Sequence, residues 1–256
     1  MLTPIQYALG GISGVLVGFV LGLVGGGGSI LAVPLMVYFV GLRNAHLAIG
    51  TSAFAVAVNA ATGLLPHARA HTVKWRCAGM YAFAGVVGAY AGSTLGKAVD
   101  GQKLLFLFAL LMVVVGVLML RHRNVSGNPD IQCQIQNAPR VIAFGSLTGL
   151  FSGFFGIGGG FLIVPGLMAS TGMPMAYAVG SSLVAVTAFG LTTALNYAFS
   201  GLVDWLLAAC FIGGGIIGGF IGANFSKRLS ASKGTLNSVF AVLIFCVAGY
   251  MLWRSI

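Results

Sequence analysis

Long apolar runs separated by short polar connections organise this chain, at residues 5–42, 47–66, 77–96, 104–120, 141–171, 175–199, 205–225 and 235–253. Most of them reach the roughly 20 residues with which an α-helix crosses a bilayer. The first and fifth are too long for one crossing, and each divides at a glycine cluster into a full-length helix and a shorter one. The pattern predicts an all-α polytopic membrane protein.

The two glycine clusters are copies. Gly22-Leu-Val-Gly-Gly-Gly-Gly-Ser-Ile-Leu-Ala-Val-Pro34 returns as Gly153-Phe-Phe-Gly-Ile-Gly-Gly-Gly-Phe-Leu-Ile-Val-Pro165. Pro34 and Gly41 pair with Pro165 and Gly172 at a spacing of 131 residues, and Gly50-Thr-Ser52 and Trp75 pair with Gly180-Ser-Ser182 and Trp205 at 130. The chain reads as a duplication, with a first transmembrane repeat over 1–120, a linker over 121–139 and a second repeat over 140–256. The linker opens Arg121-His-Arg-Asn-Val-Ser-Gly-Asn-Pro-Asp130, a turn-rich connection that leaves no soluble catalytic domain.

Charge adds the topology. The chain is 58% hydrophobic and 6% charged over 256 residues, with a mean hydropathy of +1.01, which excludes an ordinary soluble domain. Its net charge of +10 lies almost entirely in the polar connections, where it acts as a topology signal rather than a nucleic-acid footprint. The 67–76 connection carries Arg69, Lys74 and Arg76, whereas its equivalent at 197–206 carries only Asp204. The next pair reverses this: Lys97, Asp100 and Lys103 nearly balance, and 227–233 carries Lys227, Arg228 and Lys233. By the positive-inside rule the 67–76, 121–140 and 227–233 connections face the cytoplasm, and the two halves are inverted. Inversion needs an odd number of crossings per half. Five plus five, with both termini outside the cytoplasm, is the expectation. A non-crossing glycine hairpin would give three plus three, and merging each glycine-split pair would give eight spans and parallel halves. The first basic residue is Arg43, so no cleavable signal peptide is expected.

Irregular backbone inside hydrocarbon is tolerated only where it is buried or lines a cavity, so a repeated glycine interruption points to a central solute site. Gly25, Gly26, Gly27, Gly28 and Ser29, with Gly156, Gly158, Gly159 and Gly160, expose successive N–H groups beside short-helix starts. Such groups hold an anion without a lysine or arginine; close helix packing is the competing reading. That packing reading is preferred for Gly213, Gly214, Gly215, Gly218, Gly219 and Gly222. Thr51, Ser52, Ser181 and Ser182 place small hydroxyls near the start of the next long helices, as anion donors or as caps and back-bonds. Asn59, Thr192, Thr193 and Asn196 are polar positions in apolar helices and stand second in rank, for substrate or for helix–helix bonding. His67, Arg69, His71 and Lys74 sit at the cytoplasmic mouth. Glutamate is absent and no carboxylate lies mid-span; Asp204 at a helix start is the nearest titratable candidate for proton coupling, with His67 next. Cys77, Cys133, Cys210 and Cys246 have neither Cys-x-x-Cys nor metal spacing and are expected to be free, mostly buried thiols. No catalytic group, cofactor or metal site is expected.

Gly156-Ile-Gly-Gly-Gly-Phe-Leu-Ile-Val-Pro165, Val179-Gly-Ser-Ser182, Gly50-Thr-Ser52, Gly201-Leu-Val-Asp-Trp205 and His71-Thr-Val-Lys-Trp75 together resemble the TauE/SafE family of bacterial sulfite and organosulfonate exporters over nearly the whole chain. The resemblance implies a multi-pass permease of the bacterial inner membrane that passes small sulfur oxyanions or sulfonated and carboxylated organic anions. Export of sulfite or an organosulfonate is the leading expectation, with an anion channel or a carrier of non-sulfur carboxylates as alternative. The expected partners are that anion and the lipid bilayer, with self-association left open and nucleic acid excluded. The first copy departs from the second where Ser29 stands for Gly160 and Gly26 for Ile157, so the halves need not contribute equally.

Overall fold

The computed structural model describes residues 2–121, 137–156, 160–229, 244–251 and 253. The helices follow the apolar runs: α1 Pro4–Val24, a broken helix α2 Gly25–Phe39, α3 Ala45–Arg69, α4 Trp75–Ala98, α5 Gly101–Arg121, α6 Ala138–Phe155, α7 Gly160–Thr171, α8 Met175–Ala198, α9 Trp205–Leu229 and α10 at 244–251. Among the described residues four are long and apolar enough to cross a membrane, by length and composition: Pro4–Leu23, Ala45–Arg69, Met175–Ala198 and Trp205–Phe225. Large apolar side chains face outward, among them Phe83 at 82% exposure and Phe199 at 90%. Lipid is the solvent that makes such a surface stable. The linker expected at 121–139 lies mostly outside the described residues.

Helix ends are set by local chemistry. Thr3 and Gln6 form a reciprocal cap at the start of α1, and Asn44 accepts from His46 N and Leu47 N at the start of α3. Asp204 accepts from Leu207 N at 2.9 Å and Asp100 from Gln102 N at 3.0 Å, so both described acids act as helix caps. The break after α1 and the break after α6 share one device, a glycine with positive φ: 69° at Gly25 and 66° at Gly156.

α2 is irregular throughout, a tight 3₁₀ stretch over Gly25–Leu31 leading through Ala32–Pro34 into a π-helical turn over Leu35–Phe39. It folds back along α1, with Gly28 packed on Leu21 and Gln6 Nε2 donating to Val40 O at 3.2 Å. α1 and α2 are therefore not one continuous span. A rise of about 2.0 Å per residue in a 3₁₀ stretch, against about 1.5 Å in an α-helix, lets the shorter segment return to the level of Gln6.

Glycine registers give the helix directions. Gly14, Gly18 and Gly22 of α1 meet Phe211, Gly215 and Gly219 of α9, so these two helices run parallel. Gly145, Gly149 and Gly153 of α6 meet Tyr81, Gly85 and Ala89 of α4 in the same way. A Cβ at most of these positions would strike backbone, the close approach that small residues permit in a membrane. Gly214, Gly218 and Gly222 share that role, as the sequence predicts for them. At the centre α3 and α8 run antiparallel, with Gly190 on Ala53 and Ala57 and Gly63 towards Leu183.

Candidate functional site

The two glycine interruptions meet in the middle of the molecule. Gly160 N donates to Ser29 Oγ at 3.2 Å, and Ser29 Oγ donates to Gly26 O at 2.9 Å. A Cβ on Gly26 would stand 2.9 Å from Gly160 Cα and 3.0 Å from Ser182 Oγ. Gly25 lies on Val179 and Gly156 on Ile49, positions that correspond in the two repeats. Gly25, Gly26, Gly27, Gly28 and Ser29 are all buried, as are Gly156 and Gly160. The crossing is close-packed backbone against backbone; Gly158 and Gly159 fall outside the described residues.

The hydroxyls beside it divide into two pairs. Thr51 Oγ1 accepts from Asp204 N at 3.0 Å, and Ser181 Oγ accepts from Lys74 N at 2.9 Å. Each half thus caps the opposite half's helix start, at equivalent positions. Ser52 Oγ donates to Ile49 O at 3.1 Å and Ser182 Oγ to Val179 O at 2.7 Å. Ser182 also presents its oxygen to Gly26.

A small open pocket lies between α1, α3, α8 and α9. Leu21, Asn59, Thr62, His67 and Leu183 are among its lining residues. Leu21 is the residue on which Gly28 packs, and Leu183 follows Ser182. Asn59 is 2% exposed, rests on Gly215, and neither its Oδ1 nor its Nδ2 has a hydrogen-bond partner. An amide buried in this way carries a desolvation cost that a ligand can offset. His67 Nδ1 lies 3.0 Å from Thr72 Oγ1 at the pocket's outer end.

The remaining sequence candidates lie elsewhere. Asn196 ties α8 to α4, donating to Ser93 Oγ at 2.6 Å and Thr94 Oγ1 at 3.0 Å and accepting from Lys97 Nζ at 2.9 Å. Thr192 donates to Ala188 O at 2.8 Å. Thr62 and Leu21 were not among the sequence candidates, because only the fold brings them to Asn59. One sequence expectation is corrected: Cys77 is disulfide-bonded rather than free, Cys210 and Cys246 are free but not buried, and Cys133 lies outside the described residues. Sequence spacing tests for Cys-x-x-Cys and metal motifs, while a disulfide needs only spatial approach. Among the described residues no three His, Cys, Asp or Glu are grouped to hold a metal ion.

A family description, sulfite exporter TauE/SafE, matches residues 10–251. The chain belongs to that family. A probable membrane transporter protein of Xylella fastidiosa is 54% identical over 244 residues, covering 95% of this chain and 94% of that one. The probable membrane transporter protein YunE of Bacillus subtilis is 23% identical over 268 residues, covering 96% of this chain and 97% of the relative. No solved structure matches. This TauE/SafE protein is a multi-pass transporter of small anions in a bacterial inner membrane, not an enzyme.

Proposed function

We propose that this TauE/SafE protein exports sulfite or an organosulfonate by secondary transport through two inverted repeats of five helices. The repeats span 1–120 and 140–256, joined by a cytoplasmic linker over 121–139. Four observations support the inverted frame: the repeat spacing, the antiparallel run of the equivalent helices α3 and α8, the reciprocal caps Thr51–Asp204 and Ser181–Lys74, and the matched positive-φ glycines. Two equivalent helices that run antiparallel are related by an axis across them, which for crossing helices lies in the membrane plane. The sulfur oxyanion is taken from the family description.

The anion enters from the cytoplasmic side through the pocket and meets Asn59, whose unpartnered amide is the observation that carries this reading. It passes the crossing of Gly25 to Ser29 with Gly156 to Gly160, where backbone N–H groups and the Ser182 hydroxyl receive it once the packed segments part. Thr51 and Ser181 hold the helix starts on either side. Counterflow in vesicles of reconstituted protein tests the function, with sulfite, sulfate, thiosulfate, sulfoacetate, taurine and simple carboxylates compared. Sulfite or an organosulfonate is expected to drive exchange. Movement of cations or neutral solutes alone would overturn it, and large single-channel currents without counterflow would make the protein a channel.

The orientation has its own test. Single cysteines at 71 and 230 are expected to be labelled from the cytoplasm and those at 100 and 202 from outside. Labelling of 71 and 202 from one side would leave the repeats parallel.

A further inference from the structure

Among the described residues, six buried side-chain atoms have no hydrogen-bond partner: Asn59 Nδ2 and Oδ1, Ser152 Oγ, Thr193 Oγ1, Tyr197 OH and His46 Nδ1. The two on Asn59 line the open pocket. The repeat spacing carries the pocket residues Leu21, Gly63 and His67 onto Ser152, Thr193 and Tyr197. His46 lies beside Tyr197, with ring centroids 6.2 Å apart. The unsatisfied polar groups therefore gather at one pocket and at its counterpart in the other half.

We infer that this counterpart is a second binding site for a small oxyanion, closed in the present structure, formed by the hydroxyls of Ser152, Thr193 and Tyr197 near Lys97. The inference rests on the carrier reading above and deepens it. Ser152, Thr193 and Tyr197 are each 0% exposed. Thr193 and Tyr197 are one helical turn apart and share a face of α8. The parallel registers of α4 with α6 and of α4 with α8 set Ser152 at the level of Thr193.

Lys97 supplies the charge. Its Nζ donates to Asn196 O at 3.0 Å, Asn196 Oδ1 at 2.9 Å and Ser200 Oγ at 2.9 Å, and lies 5.9 Å from the Tyr197 ring centre. Every one of these partners is neutral, and an anion would be its counter-charge. The site is closed because Phe189 stands where the open pocket has Asn59, packed on Gly85 and stacked on Tyr81 at 6.4 Å. The two sites lie towards opposite ends of the α3–α8 pair. The connection after α3 packs on Gly180, and the connection after α8 packs on Gly50. They serve opposite membrane faces.

Thr193→Val and Tyr197→Phe each delete one hydroxyl with little change of shape. The double variant is expected to raise the half-saturation for sulfite by about tenfold or more at the face of residues 100 and 202, and much less at the other face. The sulfite-induced rise in the Tm of the purified full chain should shrink, while the Tm without sulfite should hold or rise, since an unsatisfied buried hydroxyl costs stability. Ser152→Ala asks the same question from another helix if the double variant fails to assemble. Wild-type half-saturation and an undiminished sulfite-induced shift in either assembled variant would overturn the inference while leaving the carrier reading intact. A wild-type chain without sulfite counterflow would overturn both.

Discussion

Asn59 on α3 and Phe189 on α8 stand 130 residues apart and rest on equivalent glycines, Gly215 and Gly85. One leaves an unpartnered amide facing a pocket; the other fills the same place with a ring stacked on Tyr81. Around them the two halves share particular backbone features, the breaks at Gly25 and Gly156, the turns at Gly41 and Gly172 and the crossed caps of Thr51 and Ser181, although α2 is irregular where its equivalent α7 is a regular α-helix. The two halves keep equivalent backbone contacts at these points and differ in the side chains at 59 and 189. The difference at Asn59 and Phe189 lies in the side chains and is open to exchange.

The largest effect is expected at the crossing, where backbone lies directly on backbone. A Cβ on Gly160 would run into the Gly26 carbonyl, and neither backbone has a rotamer with which to yield. Gly160→Val should exceed the usual overpacking cost of about 1–3 kcal/mol and leave little protein that elutes as a single species from detergent. Recovery of wild-type amounts of transport-competent Gly160→Val protein would show that the crossing has slack.

Next comes the exchange itself. Asn59→Phe places in the first half the side chain that the second half already accommodates over the matching glycine. It should fold, with a Tm no lower than wild type, because an unsatisfied buried amide is replaced by apolar surface. Sulfite exchange should fall on the order of 100-fold or more, the loss of hydrogen bonds worth roughly 1.5–3 kcal/mol each to a charged ligand. Near-normal exchange in a folded Asn59→Phe protein would move the path away from this pocket.

Much of this frame is legible in the sequence, since hydropathy fixes where helices run and the glycine offsets fix which segments correspond. The same reading finds Asn59, because a lone amide in an apolar helix is conspicuous. It does not find the pocket. Leu21, Thr62 and Leu183 carry no local signal, and they meet only because α1 packs on α9 while α3 crosses α8. Nor does it distinguish a hydroxyl that caps another helix from one that bonds back to its own: Ser181 and Ser182 are neighbours in sequence, yet one receives an amide from the opposite half and the other turns back to Val179. Polar chemistry within one turn is local information; a partner 107 residues away is not.

The smallest expected effect tests whether the crossed caps are equal, as the repeat alone would suggest. Thr51 receives Asp204 N and Ser181 receives Lys74 N, but the helix starts they serve differ. Asp204 also caps α9 with its own carboxylate, through Leu207 N at 2.9 Å, whereas Lys74 offers α4 no side-chain cap. Losing the hydroxyl therefore leaves α9 with a side-chain cap and α4 without one, held at its start by Lys74 Nζ over the Tyr177 ring at 4.7 Å. Removing a capping hydroxyl costs about 0.5–2 kcal/mol, and Ser181→Ala should fall near the upper end while Thr51→Val falls near the lower. Thermal unfolding of the two purified variants reads the difference, and half-saturation for sulfite should stay at the wild-type value in both. Equal losses of Tm would mean that Asp204 adds nothing to its helix start. A changed half-saturation in Ser181→Ala alone would place that hydroxyl on the solute's path after all.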